Sequence, residues 1–124
     1  MQRSTLLLII VAVLGLSMVI SLVLHQILKV RTAFAEDQVS IIYEARQKAF
    51  EATTPTQAVG FLEYAIDYYP SGTKQTQNSR LDRLVELVRS NVVSDIITDL
   101  KKKTGQDFGN EPTNWFRHYP PPRP

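Results

Sequence analysis

Residues 6–24 read LLLIIVAVLGLSMVISLVL, an apolar stretch without a charged side chain. As an α-helix, this stretch would be about 28 Å long, close to the roughly 30 Å hydrocarbon core of a bilayer. Fourteen of its 19 residues are Leu, Ile or Val, so insertion is favourable by about 4–8 kcal/mol. The stretch predicts a transmembrane anchor whose lipid-facing residues are Leu6, Leu7, Leu8, Ile9, Ile10, Val11, Leu14, Leu16, Val19, Ile20, Leu22, Val23 and Leu24.

A cleaved signal peptide is the alternative interpretation of this stretch. Residues 33–35, Ala-Phe-Ala, have the small-x-small pattern of a signal-peptidase site. However, signal peptides usually have apolar cores of about 7–15 residues, and Lys29 and Arg31 separate this core from the site. We therefore expect a retained anchor, and the alternative is an exported soluble helical binding module released after Ala35.

Basic residues flank the anchor on both sides, with Arg3 before it and Lys29 and Arg31 after it. The positive-inside rule gives nearly a tie, so the sequence leaves open which side of the membrane holds the rest of the chain. Subtracting these three from 14 Lys and Arg leaves 11, against 12 Asp and Glu. The rest of the chain is therefore nearly neutral and has no basic stripe that could bind nucleic acid. The basic excess lies beside the anchor, so the expected partner is the lipid bilayer.

Ser17, Ser21 and His25 are spaced by four and share one face of the predicted helix. Small residues at this spacing allow transmembrane helices to approach closely, so Ser17 and Ser21 are candidates for helix contact. The alternative is that serine is merely tolerated there.

A remaining domain of about 85 residues is small, so an unknown protein partner or self-association into a homo-oligomer is expected to complete it.

The whole chain is predicted to be all-α. Residues 1–31 form the anchor and its flanks, and residues 32–53 lack Gly and Pro and are expected to continue as a helical stalk. Residues 54–119 form a small helical domain, and residues 120–124 form a polyproline tail.

Capping patterns define two helices within the small domain. Thr54, Pro55 and Gln57 predict the start of the first, in which Gly60 permits close packing against a neighbour. Ser79 begins the second, with Asp82 as its capping-box partner, and Gly105 follows as its C-terminal cap. The absence of Gly and Pro favours one helix here, and the alternative is a bend or break near Ser90 and Asn91. The apolar residues of this second helix form two faces, so we expect it to contact two neighbouring elements. The first face is Leu81, Leu84, Val85 and Val88, and the second is Val92, Val93, Ile96, Ile97 and Leu100.

Little in the sequence supports catalysis. The chain has no cysteine, which excludes thiol catalysis and cysteine metal ligands. No nucleotide-binding, hydrolase or metalloprotease motif is present, and no cofactor or metal is expected. The alternative of a small membrane enzyme rests on Asp95, Asp99 and His118, although Asp95 and Asp99 have the spacing of an ordinary solvated helix face.

Trp115, Phe116 and Tyr119 form an aromatic cluster near the C-terminus. They are candidates for docking on a partner, and core packing is the alternative. In the tail, Pro121 and Pro124 with Arg123 make the minimal form of a polyproline ligand, for which a frayed terminus is the alternative.

Residues 100–109 read LKKKTGQDFG and are followed by Pro112 and Trp115. This segment resembles the closing part of some bacterial HEAT-like helical repeats, in which a helix ends in L-x-x-x-T-G and a D-x-G turn leads to a tryptophan. The resemblance implies one or two helical-repeat units of a class used for protein binding, and no catalytic residue.

Together, these features predict a non-enzymatic, single-pass membrane protein. Its helical domain would act as an interaction or scaffold module, as a small subunit of a larger membrane assembly. Anchoring would raise the local concentration of the domain beside membrane-bound partners.

Overall fold

The computed structural model describes residues 2–123, which form four α-helices and no strand. The helices are α1 (Gln2–Glu51), α2 (Pro55–Asp67), α3 (Arg80–Thr104) and α4 (Pro112–His118). The predicted all-α class is confirmed for this part of the chain. The chain divides into two compact units, one as far as Ala33 and the other from Phe34 onward.

The first unit is the apolar part of α1. Its side chains are exposed along the whole described length, with Leu8 71% accessible and Ile10 45% accessible. By length and composition, α1 is the one helix among the described residues that is apolar enough to cross a membrane. A signal sequence near an N-terminus has the same two properties.

The second unit has a hydrophobic core to which all four helices contribute. The second half of α1 buries one face, because its buried positions recur every three or four residues: Ala35, Gln38, Ile42, Ala45 and Ala49. Residues 32–53, predicted as a stalk, therefore include a segment that builds this core.

Helix α2 begins where the capping pattern predicts. The Thr54 hydroxyl accepts a hydrogen bond from the Gln57 backbone N–H at 3.3 Å, and Pro55 is the first helical residue. The Gln57 side chain differs from the usual capping box, because it accepts from the N–H of Thr53 instead of the N–H of Thr54.

Helix α3 is unbroken, which confirms the prediction of one helix over this range. Ser79 caps its start by accepting from the Asp82 N–H at 3.2 Å, and Gly105 ends it with φ 68°. Glycine suits this left-handed conformation because it has no Cβ. The prediction that Leu84 packs on an apolar face of α3 is wrong, because Leu84 is 49% exposed. Arg89, by contrast, is buried.

Candidate functional site

The predicted helix-contact residues lie on one side of the first unit. Ser17 and Ser21 line a shallow depression along α1 together with His25, and Ile20 and Leu24 flank them. The depression follows from the spacing of four, which places successive side chains on one helix face. Helix contact through Ser17 and Ser21 stays a prediction.

The three aromatic candidates for docking have different environments. Trp115 has no exposed surface, and its indole N–H donates to the Gly109 carbonyl at 3.0 Å. The Tyr119 hydroxyl donates to the Gln106 side chain at 2.6 Å, and Phe116 is half-buried. The ring of Trp115 therefore packs in the core, whereas docking through Phe116 and Tyr119 stays a prediction.

The three side chains of the enzyme alternative have separate partners. Asp95 accepts from Arg46 at 2.7 Å, and Asp99 pairs with Lys103 at 2.8 Å. The His118 ring stacks on Phe108 with the ring centroids 3.6 Å apart. Within residues 2–123 no group of three or more His, Cys, Asp or Glu could hold a metal ion.

An open groove in the second unit is a candidate binding site. We call it the tail groove, because Pro122 of the C-terminal tail lines it. It has a volume of about 620 Å³ and lies between the C-terminal end of α1, the exposed side of α2 and the tail. Its lining includes Lys48, Glu51, Gly60, Phe61, Glu63, Tyr64 and Pro122.

The tail reaches the groove because Gly60 has no side chain. A Cβ built on Gly60 would lie 3.1 Å from Cδ of Pro122, tighter than ordinary van der Waals contact. Glycine within α2 costs about 1 kcal/mol relative to alanine, so this contact gives that glycine a structural role. The sequence indicated that Gly60 allows a close neighbour, but it did not indicate that the neighbour is the tail.

The lining of the groove contains more carboxylates than cationic side chains. Lys48 pairs with Glu44 at 2.7 Å, and this hydrogen-bonded carboxylate raises the pKa of the Lys48 amine. Glu51 accepts from the Gln47 side chain at 2.9 Å, and Glu63 on α2 also lines the groove. The charged residues of the lining are therefore Lys48, Glu51 and Glu63, two carboxylates against one ammonium group.

A buried arginine holds the other end of α2. Arg89 donates to the Ala65 carbonyl, to the Ile66 carbonyl at 3.2 Å and to the Tyr69 carbonyl at 2.9 Å. The Ala65 and Ile66 carbonyls are among those that the end of a helix leaves without intrahelical partners, and Tyr69 follows the helix by two residues. Arg89 also pairs with Glu86 at 3.2 Å, so its buried charge has a counter-ion.

A buried carboxylate organises the loop between α2 and α3. Asp82 accepts from the Ser71 hydroxyl at 2.6 Å and from the backbone N–H groups of Gly72 at 3.0 Å and Asn78 at 2.9 Å. The hydrogen bond from Ser71, with those from the two N–H groups, holds the pKa of Asp82 below its ordinary value of 3.8. The sequence indicated only the capping role of Asp82 and not its burial.

We expect Asp82→Asn to destabilise the second unit in a pH-dependent way. Above about pH 5, Asp82 is ionised in the folded and unfolded chains, and its stabilising contribution is complete. As the pH falls, the unfolded chain takes up a proton first, and the contribution is lost as the pH falls through the folded pKa. The difference in unfolding free energy between wild type and variant should therefore be about 2–3 kcal/mol at pH 7 and shrink towards pH 3.

Urea unfolding of the full chain in detergent micelles, followed by the fluorescence of its single tryptophan, measures this difference. Asp67→Asn is the matched control, because Asp67 is an exposed carboxylate on α2. A difference that stays constant between pH 7 and pH 3 would contradict the role given to the Asp82 carboxylate.

Comparison with known protein families, curated proteins and solved structures finds no match for this chain. The class that the structure defines is an all-helical unit that follows one long, exposed, apolar helix. The resemblance of residues 100–115 to HEAT-like repeats stays a prediction. The candidate function therefore rests on the geometry described above.

Proposed function

We propose that this chain is a single-pass membrane protein in which the N-terminal part of α1 is a retained anchor. Its helical unit acts as a non-enzymatic interaction module, as a small subunit or scaffold of a larger membrane assembly. The observation that carries the proposal is the contrast along α1. Every side chain from position 2 to position 34 is exposed, whereas one face of the helix beyond Ala35 is buried.

This contrast has a direct physical meaning. Within residues 2–123, the large aliphatic side chains of the first unit are 43–71% exposed, and apolar area of this size is unfavourable in water. A bilayer supplies the missing apolar environment over a length close to the predicted span. The second unit has its own core, so its partner contacts would use the surface that this core leaves free.

Carbonate extraction of the expressed full chain tests the anchor. We expect the chain to stay in the membrane pellet at pH 11 and in high salt, and detergent should release it. The intact mass should correspond to a chain that still contains residues 6–24. A mature chain that begins at Glu36 would instead identify the exported soluble module, and complete release by carbonate would overturn the anchor.

A further inference from the structure

We propose that the tail groove binds an extended, proline-rich segment that carries a basic side chain, and that the chain's own tail is a competing intramolecular ligand. This inference names the partner chemistry of the interaction module proposed above. It rests on how Pro122 is seated, on the aromatic lining of the groove and on the charge of its rim.

The tail provides the first argument, because one of its prolines lines the groove. Pro122 lies against Gly60 at a distance that no larger residue at position 60 would allow without a shift. Phe61, Tyr64 and Lys48 line the same groove. The surface at Gly60 therefore accommodates a proline ring, and the open volume beside Pro122 is free for the rest of a ligand.

The aromatic lining provides the second argument. Tyr64 is 47% exposed, and Phe61 is half-buried beside it. Proline-rich segments form a polyproline II helix without internal hydrogen bonds, and they dock in grooves lined by aromatic rings. Such a ligand loses little conformational entropy on binding, which suits a shallow and open groove.

Charge provides the third argument. Glu63 and Arg123 line a depression next to the groove, together with Phe116, Arg117 and residues 120–122 of the tail. Glu51 adds a second carboxylate to the lining of the groove, and Lys48, which also lines it, is paired with Glu44. An arginine beside the proline residues of a ligand therefore lies in the same depression as Glu63, in the place of Arg123 of the tail.

The tail is joined to α4 by a short segment, so it competes at an effective concentration in the millimolar range. A ligand added in trans must displace it. We therefore expect a chain that ends at Tyr119 to bind such a ligand on the order of tenfold more tightly than the full chain.

The experiment measures the fluorescence anisotropy of a labelled PPPRP peptide, the sequence of residues 120–124, with the protein in detergent micelles. Full chain and truncated chain are compared. Tyr64→Ala is introduced into the truncated chain, with Tyr43→Ala as its matched control. Tyr43 is also an exposed tyrosine, at 49%, and it lies outside the groove lining.

We expect the truncated chain to bind PPPRP more tightly than the full chain does. Tyr64→Ala should weaken binding at least tenfold, whereas Tyr43→Ala should leave it unchanged. The peptide PPPEP, which reverses the charge, should bind more weakly than PPPRP. A second variant, Gly60→Val, should block the seat of the proline ring and weaken binding in the truncated chain.

Equal binding by the full and truncated chains, or no effect of Tyr64→Ala, would overturn the proposal. Concentration-dependent dimers that require the tail, without a gain in peptide binding on truncation, would overturn it in favour of the tail of a second copy. Peptide binding is measured in detergent, so its failure is distinct from the failure of the anchor in carbonate extraction.

Discussion

The double substitution Leu14→Arg and Met18→Arg is expected to move the full chain from the membrane pellet to the soluble or aggregated fraction. Both positions lie near the middle of residues 6–24, where arginine costs about 2.5–3.5 kcal/mol and aliphatic contacts worth a few tenths of a kcal/mol each are lost. The total of about 6–8 kcal/mol cancels the predicted insertion free energy of about 4–8 kcal/mol.

Carbonate fractionation measures this change, with the variant and the wild type expressed in parallel cultures at the same level. Leu84→Arg with Leu87→Arg is the matched control, because both leucines are exposed on α3, at 49% and 59%. This control should stay in the pellet. If the anchor variant stayed in the carbonate-resistant pellet and detergent released it, as for the wild type, the anchor would have to lie elsewhere in the chain.

Trp115→Ala is expected to cause the largest loss of stability in the second unit, about 3–5 kcal/mol. Trp115 has no exposed surface, it meets Phe108 edge-on with ring centroids 4.9 Å apart, and its N–H donates to Gly109. A domain of this size has a total stability of about 5–10 kcal/mol. The melting temperature should therefore fall by about 15–30 °C.

Thermal unfolding followed by circular dichroism at 222 nm measures this loss, because the substitution removes the only tryptophan. Tyr43→Ala is the control, since its ring is half-exposed and the change should stay within about 0.5 kcal/mol. If Trp115→Ala kept the wild-type melting temperature and impaired only partner binding, Trp115 would act in docking on a partner and not in stabilising the core.

Local patterns predicted the helix ends well because the signals act within a few residues. Thr54 with Pro55 starts α2, Ser79 starts α3, and Gly105 ends α3 at a positive φ. Capping bonds join residues three or four positions apart, so the sequence contains nearly all of the information that they need. The absence of Gly and Pro favoured one helix for α3, but the offset between its two apolar faces left a break near Ser90 and Asn91 open until the structure showed a single helix.

Contacts between distant residues were less predictable. Arg89 lies among apolar positions of α3, but its burial depends on carbonyls at and just after the end of α2, 20 or more residues earlier. Leu84 is apolar and yet half-exposed, because burial requires a neighbouring helix and not only a suitable side chain. The hydrophobic pattern alone would bury Leu84 and expose Arg89, which is the reverse of what the structure shows.

The tail groove shows the same limit. The sequence contains Gly60 inside a helix and three consecutive prolines at positions 120–122, and each is an unusual local feature. Nothing in either pattern indicates that Pro122 would lie against Gly60. The separation of about 60 residues removes any local constraint, and only the packing of α4 beside α2 brings the two together.

The sequence by itself determined the helical class, the apolar stretch of residues 6–24 and the caps, because hydropathy, backbone propensity and capping act over a single helical turn or a single helix. Only the tertiary structure decided that the second half of α1 belongs to the core, that Trp115 is buried, and that α2 and the tail enclose a groove. These features depend on which helix faces meet, and that choice is made by burial and shape across the whole unit.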